Sequence, residues 1–101
     1  MTGVTIDLST GALGGAPVET IVRTLSEMRG VYGDERARRA MNPNQIVYRV
    51  QSFFPVAEGT DGGLFWGTTF LEPGRVGDEY FMTKGHFHSR RDRAEYYVTV
   101  A

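Results

Sequence analysis

No cysteine occurs among the 101 residues, so no disulfide framework is available and nothing in the thiol content argues for export. A reducing cytoplasm is the expected setting. No apolar run reaches the roughly 18 residues that a membrane span needs, and the N-terminus lacks a basic region followed by a hydrophobic stretch. An excess of either charge is also missing. With 11 Lys and Arg against 12 Asp and Glu, the formal net charge is −1, which offers no general attraction for nucleic acid or an anionic membrane. Basic residues cluster only locally, at Arg36, Arg38 and Arg39 and again at Arg90, Arg91 and Arg93. Either patch could receive a phosphorylated small molecule, although runs of this kind are most often solvated faces.

What is present is 41% hydrophobic and 23% charged, the balance of a soluble globular protein of one domain at most, near the size where a single core becomes thin. Residues 1–16 are small and Gly-rich, with a short strand expected over residues 4–8 and a turn over 10–15. Val18, Ile21, Val22, Leu25 and Met28 fall at helical spacing behind Pro17, with Gly30 as a stop. An amphipathic helix packed on a sheet is expected there. A second short helix is expected over 34–41, with Asp34 as N-cap, Asn42-Pro43 closing it and its basic face in solvent.

From Asn44 the texture changes to β-branched and aromatic residues, bounded by Pro43 and Pro55. Strands are expected from Ile46 to Phe54, over 64–71, over 79–88 and over 95–100, separated by Gly- and Pro-rich turns. Phe65, Trp66, Phe70 and Phe81 are expected in the core. Short strands at close spacing after a helical start indicate an antiparallel sandwich or barrel with an N-terminal helical extension. The chain stops directly after the β-prone run that ends at Val100, and a core strand without neighbours is an edge that should dimerise or aggregate. A truncated chain is the expectation.

The only two histidines stand two residues apart in Gly85-His86-Phe87-His88, with Glu95 seven residues further on. In a strand His86 and His88 point the same way, about 7 Å apart, near enough to share one ion. If the following strand pairs antiparallel, Glu95 swings onto the same face and completes three ligands for a divalent metal. An H-x-H pair alone more often marks surface imidazoles; Glu95 at this spacing, taken together with the resemblance of the flanking residues given below, reverses that weighting. Tyr97 shares the face of Glu95 and reads either as a site residue or as a cross-strand aromatic. Strict alternation puts Thr83 opposite His86 and Lys84 on the histidine face. A bulge at Gly85 would re-aim the chain and expose backbone N–H groups, although a glycine that merely avoids crowding fits equally.

Pro73-Gly74, then Thr83-Lys84-Gly85-His86-Phe87-His88, then Asp92-Arg93-Ala94-Glu95 and Tyr97 resemble the cupin-type glucose-6-phosphate isomerases of archaea and some bacteria. The resemblance extends through Tyr48, Thr68-Thr69 and Asp34-Glu35-Arg36, covering nearly all of the chain but only about the first half of the family's domain. It implies a mainly β cupin half-barrel, a double-stranded β-helix or jelly roll, as one partial domain over 1–101. Residues 1–43 would form the N-terminal extension with its helix, and 44–101 the first strands and first metal motif.

The resemblance further implies that His86, His88 and Glu95 hold a divalent metal, iron first, with manganese, zinc or nickel as alternatives. Thr69, Thr83 and Gly85 would line the pocket for the sugar phosphate and Tyr97 would contact substrate. Glu95 carries the catalytic assignment, as ligand and, if the hydrogen moves as a proton through an enediol, as base; a metal-assisted hydride shift is the alternative the family offers. A phosphate-holding tyrosine of the family aligns with Gln51, a departure. A homodimeric isomerase of glycolysis and gluconeogenesis is thus implied. Two other classes use the same residues: a non-catalytic metal- or sugar-binding cupin module that dimerises through its open strand edge, and another cupin chemistry such as a dioxygenase, which leaves Thr83-Lys84-Gly85 unexplained.

Overall fold

The structure is a computed structural model and describes residues 3–15, 17–57, 59–86 and 98–99. Its centre is β4 (Ile46–Phe53), where the β-branched and aromatic run between Pro43 and Pro55 forms the strand its composition favours. On one side β4 pairs antiparallel with β3 (Glu19–Thr24), and on the other with β5 (Trp66–Leu71). Two hairpins flank this sheet: β1 (Thr5–Ile6) with β2 (Leu13–Gly14), and β6 (Arg75–Val76) with β7 (Glu79–Tyr80). A 3-10 turn (Leu25–Met28) and one short helix, α1 (Glu35–Arg39), fill the connection from β3 to β4.

The helix expected behind Pro17 is therefore a strand followed by a single 3-10 turn. Thr20, Ile21, Val22 and Thr24 are β-branched and lose χ1 freedom in a helix. In β3 the backbone instead gains a six-pair register with β4, from Glu19 opposite Ser52 to Thr24 opposite Ile46, with a bulge at Arg23/Thr24. Ile21 and Val22 point to opposite faces and are each 40% exposed, so they do not form the common apolar stripe a helix would need. Leu25 and Met28, the last two members of the helical pattern, are nonetheless fully buried, because the 3-10 turn directs both inward. There is no N-terminal helical extension among the described residues beyond α1. That helix starts as expected: the Asp34 carboxylate accepts from the Ala37 N–H.

The core consists of Leu25, Met28, Tyr32, Val47, Tyr48, Val76 and Phe81, with Val50 and Met82 packed partly against it. Of the four aromatics expected inside, only Phe81 is buried; Trp66 is 44% exposed. Phe65 meets Phe54 edge to face with centroids 4.8 Å apart, and Phe70 lies under the Arg49 guanidinium at 4.7 Å. These rings serve the outer part of the sheet.

Strand alternation divides β4 and β5 into two faces. Gln51 and Thr68 share one, and the β1–β2 hairpin is seated on it: Gln51 Oε1 accepts from the Leu13 N–H at 2.9 Å. Gly11, at φ +79°, passes so close that a Cβ there would lie 3.0 Å from Thr68 Cγ2. Tyr48, Val50, Thr69 and Leu71 share the opposite face. Thr69, one of the expected site residues, lies on that face. Among the described residues, no helix is long and apolar enough to cross a membrane.

Candidate active site

Of the strand expected over 79–88, residues 87 and 88 lie outside the described residues, and among the rest only Glu79–Tyr80 forms a strand, where it pairs with β6. Beyond Tyr80 the chain leaves the hairpin, and its backbone donors go to other groups. The Phe81 N–H donates to the Gly74 carbonyl at 2.9 Å. The Met82 N–H donates to the Tyr32 hydroxyl at 3.4 Å, and the Lys84 N–H to the Tyr48 hydroxyl at 3.3 Å. Donors two residues apart facing one side are the mark of extended backbone, so the N–H groups of Thr83 and Gly85 face the other side. Residues 81–86 run as an extended segment held by two phenols.

Three features fix that segment. Phe81 is 4% exposed and its ring lies over Gly74, where a Cβ would come within 2.5 Å of the ring. Glycine at position 74 is thus demanded by close approach, which gives the Pro73-Gly74 pair a packing role. Tyr48 stands on β4 between Val47 and Arg49, and its place in the central strand fixes its hydroxyl. Tyr32 lies in the loop before α1, where the Gly33 N–H donates to Glu79 Oε1 at 2.6 Å and ties the loop to β7. Burial pushes the Tyr32 phenol above its usual range, and the nearby Glu79 carboxylate and Tyr48 phenol push it the same way, against the Met82 N–H. The neutral hydroxyl is the stable form at neutral pH.

Of the expected substrate residues, Thr69 is exposed on β5, opposite Val50 and on the face that Tyr48 occupies. Thr83, Lys84, Gly85 and His86 are all exposed along the segment that Tyr48 anchors. The sheet face and the motif segment are therefore joined through one phenol. Gly85 has no left-handed φ, and a Cβ at that position would meet no atom of the described residues within 4 Å. Gln51, the departure from the family's tyrosine, serves the opposite face through its bond to Leu13.

His88, Glu95 and Tyr97 lie outside the described residues, as do Arg90, Arg91 and Arg93. His86 is the one expected metal ligand within them, and among the described residues no group of three or more His, Cys, Asp and Glu gathers around a common point. The other basic patch is not a uniform solvated face. Arg38 is 8% exposed: its Nη1 donates to the Leu25 carbonyl at 3.0 Å, and its Nε and Nη2 donate to the Glu35 carboxylate. That paired donation holds Glu35 below the usual carboxylate range. Arg38 thus braces the 3-10 turn against α1, and only Arg36 and Arg39 remain exposed.

The roles of Tyr32 and Tyr48 were not apparent from the motif alone. A legible signal was nevertheless present: a tyrosine within a buried apolar run needs a hydrogen-bond partner, and Tyr48 sits next to the fully buried Val47.

The described fold defines a mainly β chain of small antiparallel sheets, with a motif segment carried beside the central strand. The family model for glucose-6-phosphate isomerase (GPI) matches residues 22–100. The chain is 47% identical over 99 residues to the glucose-6-phosphate isomerase of Thermococcus gammatolerans, covering 97% of this chain and 50% of the relative. It is 44% identical over 100 residues to that of Pyrococcus abyssi and 42% identical over 100 residues to that of Pyrococcus horikoshii, covering 97% of this chain and 51% of the relative in both cases. The chain belongs to the glucose-6-phosphate isomerase family. It spans about half the length of these relatives.

Proposed function

We propose that this chain is the metal-binding half of a cupin-type isomerase that interconverts glucose 6-phosphate and fructose 6-phosphate in glycolysis and gluconeogenesis. The observation that carries the reading is the 47% identity to a glucose-6-phosphate isomerase across 97% of the chain. In this reading residues 1–101 form a partial cupin domain of a cytoplasmic enzyme that works as a homodimer.

His86, His88 and Glu95 would hold a divalent ion, iron first, with manganese, zinc or nickel able to use the same nitrogen and oxygen donors. Such an ion supplies stabilisation for negative charge that develops on the substrate oxygen next to the reacting carbons. Thr69 and Thr83 would donate hydroxyls to the phosphate group. Gly85 would let the backbone approach the same group without a side chain in the way. Tyr97 would orient the sugar, and Glu95 would serve as ligand and as base for the hydrogen moved between C1 and C2.

The test is a coupled assay of fructose 6-phosphate conversion by the Fe²⁺- or Mn²⁺-reconstituted protein, run beside His88→Ala, with metal content measured in both. The expected result is metal retained by the parent and lost by the variant, with turnover, low in half a pocket, following the metal. A parent chain that neither retains metal nor turns over substrate would overturn the reading.

A further inference from the structure

We infer that Tyr32 and Tyr48 are positioning residues: their buried phenol oxygens stand in for a strand edge and set the register of Thr83, Gly85 and His86. This extends the isomerase reading to two residues outside the expected set of metal ligands and substrate contacts. It rests on that reading for its functional consequence but not for its geometry.

Residues 81–86 leave the β6–β7 hairpin, and the bonds made by the Met82 and Lys84 N–H groups are partly buried, where a donor needs an acceptor. Tyr32 supplies one for Met82 and Tyr48 one for Lys84. The two donors are about 6.6 Å apart along extended backbone, and a slip of one residue would turn them outward and bring Thr83 and Gly85 inward. The two phenols thus select which alternate set is presented.

Both tyrosines are nearly buried, at 4% and 6% exposure, and phenylalanine would fill the same core volume. Their hydroxyls are the feature that packing does not require. Tyr32 is also coupled to the segment by a second route. The Gly33 N–H bond to Glu79 Oε1 joins its loop to β7, only three residues before Met82. Loop, strand end, segment and phenol form a closed circuit, which makes Tyr32 rigid enough to act as a register stop. Burial keeps its phenol neutral, so the oxygen's lone pairs stay available to Met82 without the cost of a buried phenolate.

The test uses the full 101-residue chain, ¹⁵N-labelled, as parent, Tyr32→Phe and Tyr48→Phe. Amide hydrogen exchange is read residue by residue, and Co²⁺ binding is titrated by its paramagnetic effect on the histidine signals. Tyr32→Phe should speed exchange of the Met82 amide about threefold to tenfold, and Tyr48→Phe that of Lys84 by a similar factor. Amides of β4 and β5 should stay within about twofold, and Co²⁺ affinity should fall several-fold in each variant. No change at positions 82 and 84, or an equal acceleration throughout β4 and β5, would overturn the inference. Selective changes at 82 and 84 in a chain whose parent binds no Co²⁺ would uphold the register while overturning the metal reading. Co²⁺ bound equally by parent and both variants would overturn the positioning role and leave the metal reading standing.

Discussion

Gly74→Ala tests the packing that launches the motif segment. An added Cβ would lie 2.5, 2.7 and 2.9 Å from three carbons of the Phe81 ring, where carbon atoms in contact normally stand about 3.5–4.0 Å apart. The ring must therefore retreat by about 1 Å. It cannot retreat freely, because Phe81 is 4% exposed in the cluster with Tyr32, Tyr48 and Val76. Overpacking of this kind costs about 1–3 kcal/mol. At an m-value of about 1–2 kcal/mol per molar, the urea midpoint should drop by roughly 1 M. The ring contact adds to the strain of a side chain at φ +157°, so in a Phe81→Leu background Gly74→Ala should still destabilise the chain but by clearly less than in the parent. Urea unfolding of the four chains, followed by far-UV circular dichroism, gives the cycle directly. A Gly74→Ala chain as stable as its parent, or an equal cost in both backgrounds, would refute the packing role assigned to this glycine.

Thr20→Ala distinguishes strand from helix by sign: it should destabilise the chain by up to about 1 kcal/mol in β3, whereas a helix over the same residues would be stabilised by a few tenths of a kcal/mol. Denaturant midpoints read the sign. Leu25→Ala should cost about 2–5 kcal/mol, since Leu25 is fully buried on the 3-10 turn; a cost under about 1 kcal/mol would remove that turn from the core. Acid should weaken the brace between α1 and the turn. Glu35 is held below its ordinary value of 4.5 chiefly by Arg38, so its stabilisation is present above that pH and is lost as pH falls through the lowered native value. Thermal melts from pH 7 to pH 3 should fall more steeply in the parent than in Glu35→Gln; equal slopes would contradict this. Tyr32 has the opposite sign: its native value is raised above 10.0 by burial, so its contribution is intact below that pH and declines above it. Tyr32→Phe should flatten the alkaline limb of the same melts.

Some elements follow from local chemistry alone, and these were legible in the sequence. β4 lies between two prolines and consists of residues that favour a pleated, half-buried strand. Asp34 caps α1 because a carboxylate three residues before a free N–H satisfies it whatever the rest of the chain does. Pro73-Gly74, the run from Thr83 to His88, Asp92-Arg93-Ala94-Glu95 and Tyr97 together led to the same family as the comparison with relatives.

Only tertiary structure decided the remainder. Residues 17–30 hold a helical apolar period and a β-branched run together, and the choice went to the strand because β4 offered a ladder of backbone partners that no local signal records. Trp66 and Phe70 look like core residues by hydrophobicity, yet β5 is an edge of the described sheet, so their rings stay partly outside. Arg38 reads as one of three surface arginines until the carbonyl of Leu25 and the carboxylate of Glu35 are seen around it. The register of residues 81–86 depends on two phenols 50 and 36 residues away in the chain. Residue types and short spacings determined the family the chain resembles, its central strand and its helix cap; contacts between distant segments determined how the remaining segments pair and pack, because hydrogen-bond partners and packing neighbours become available only once the chain has closed on itself.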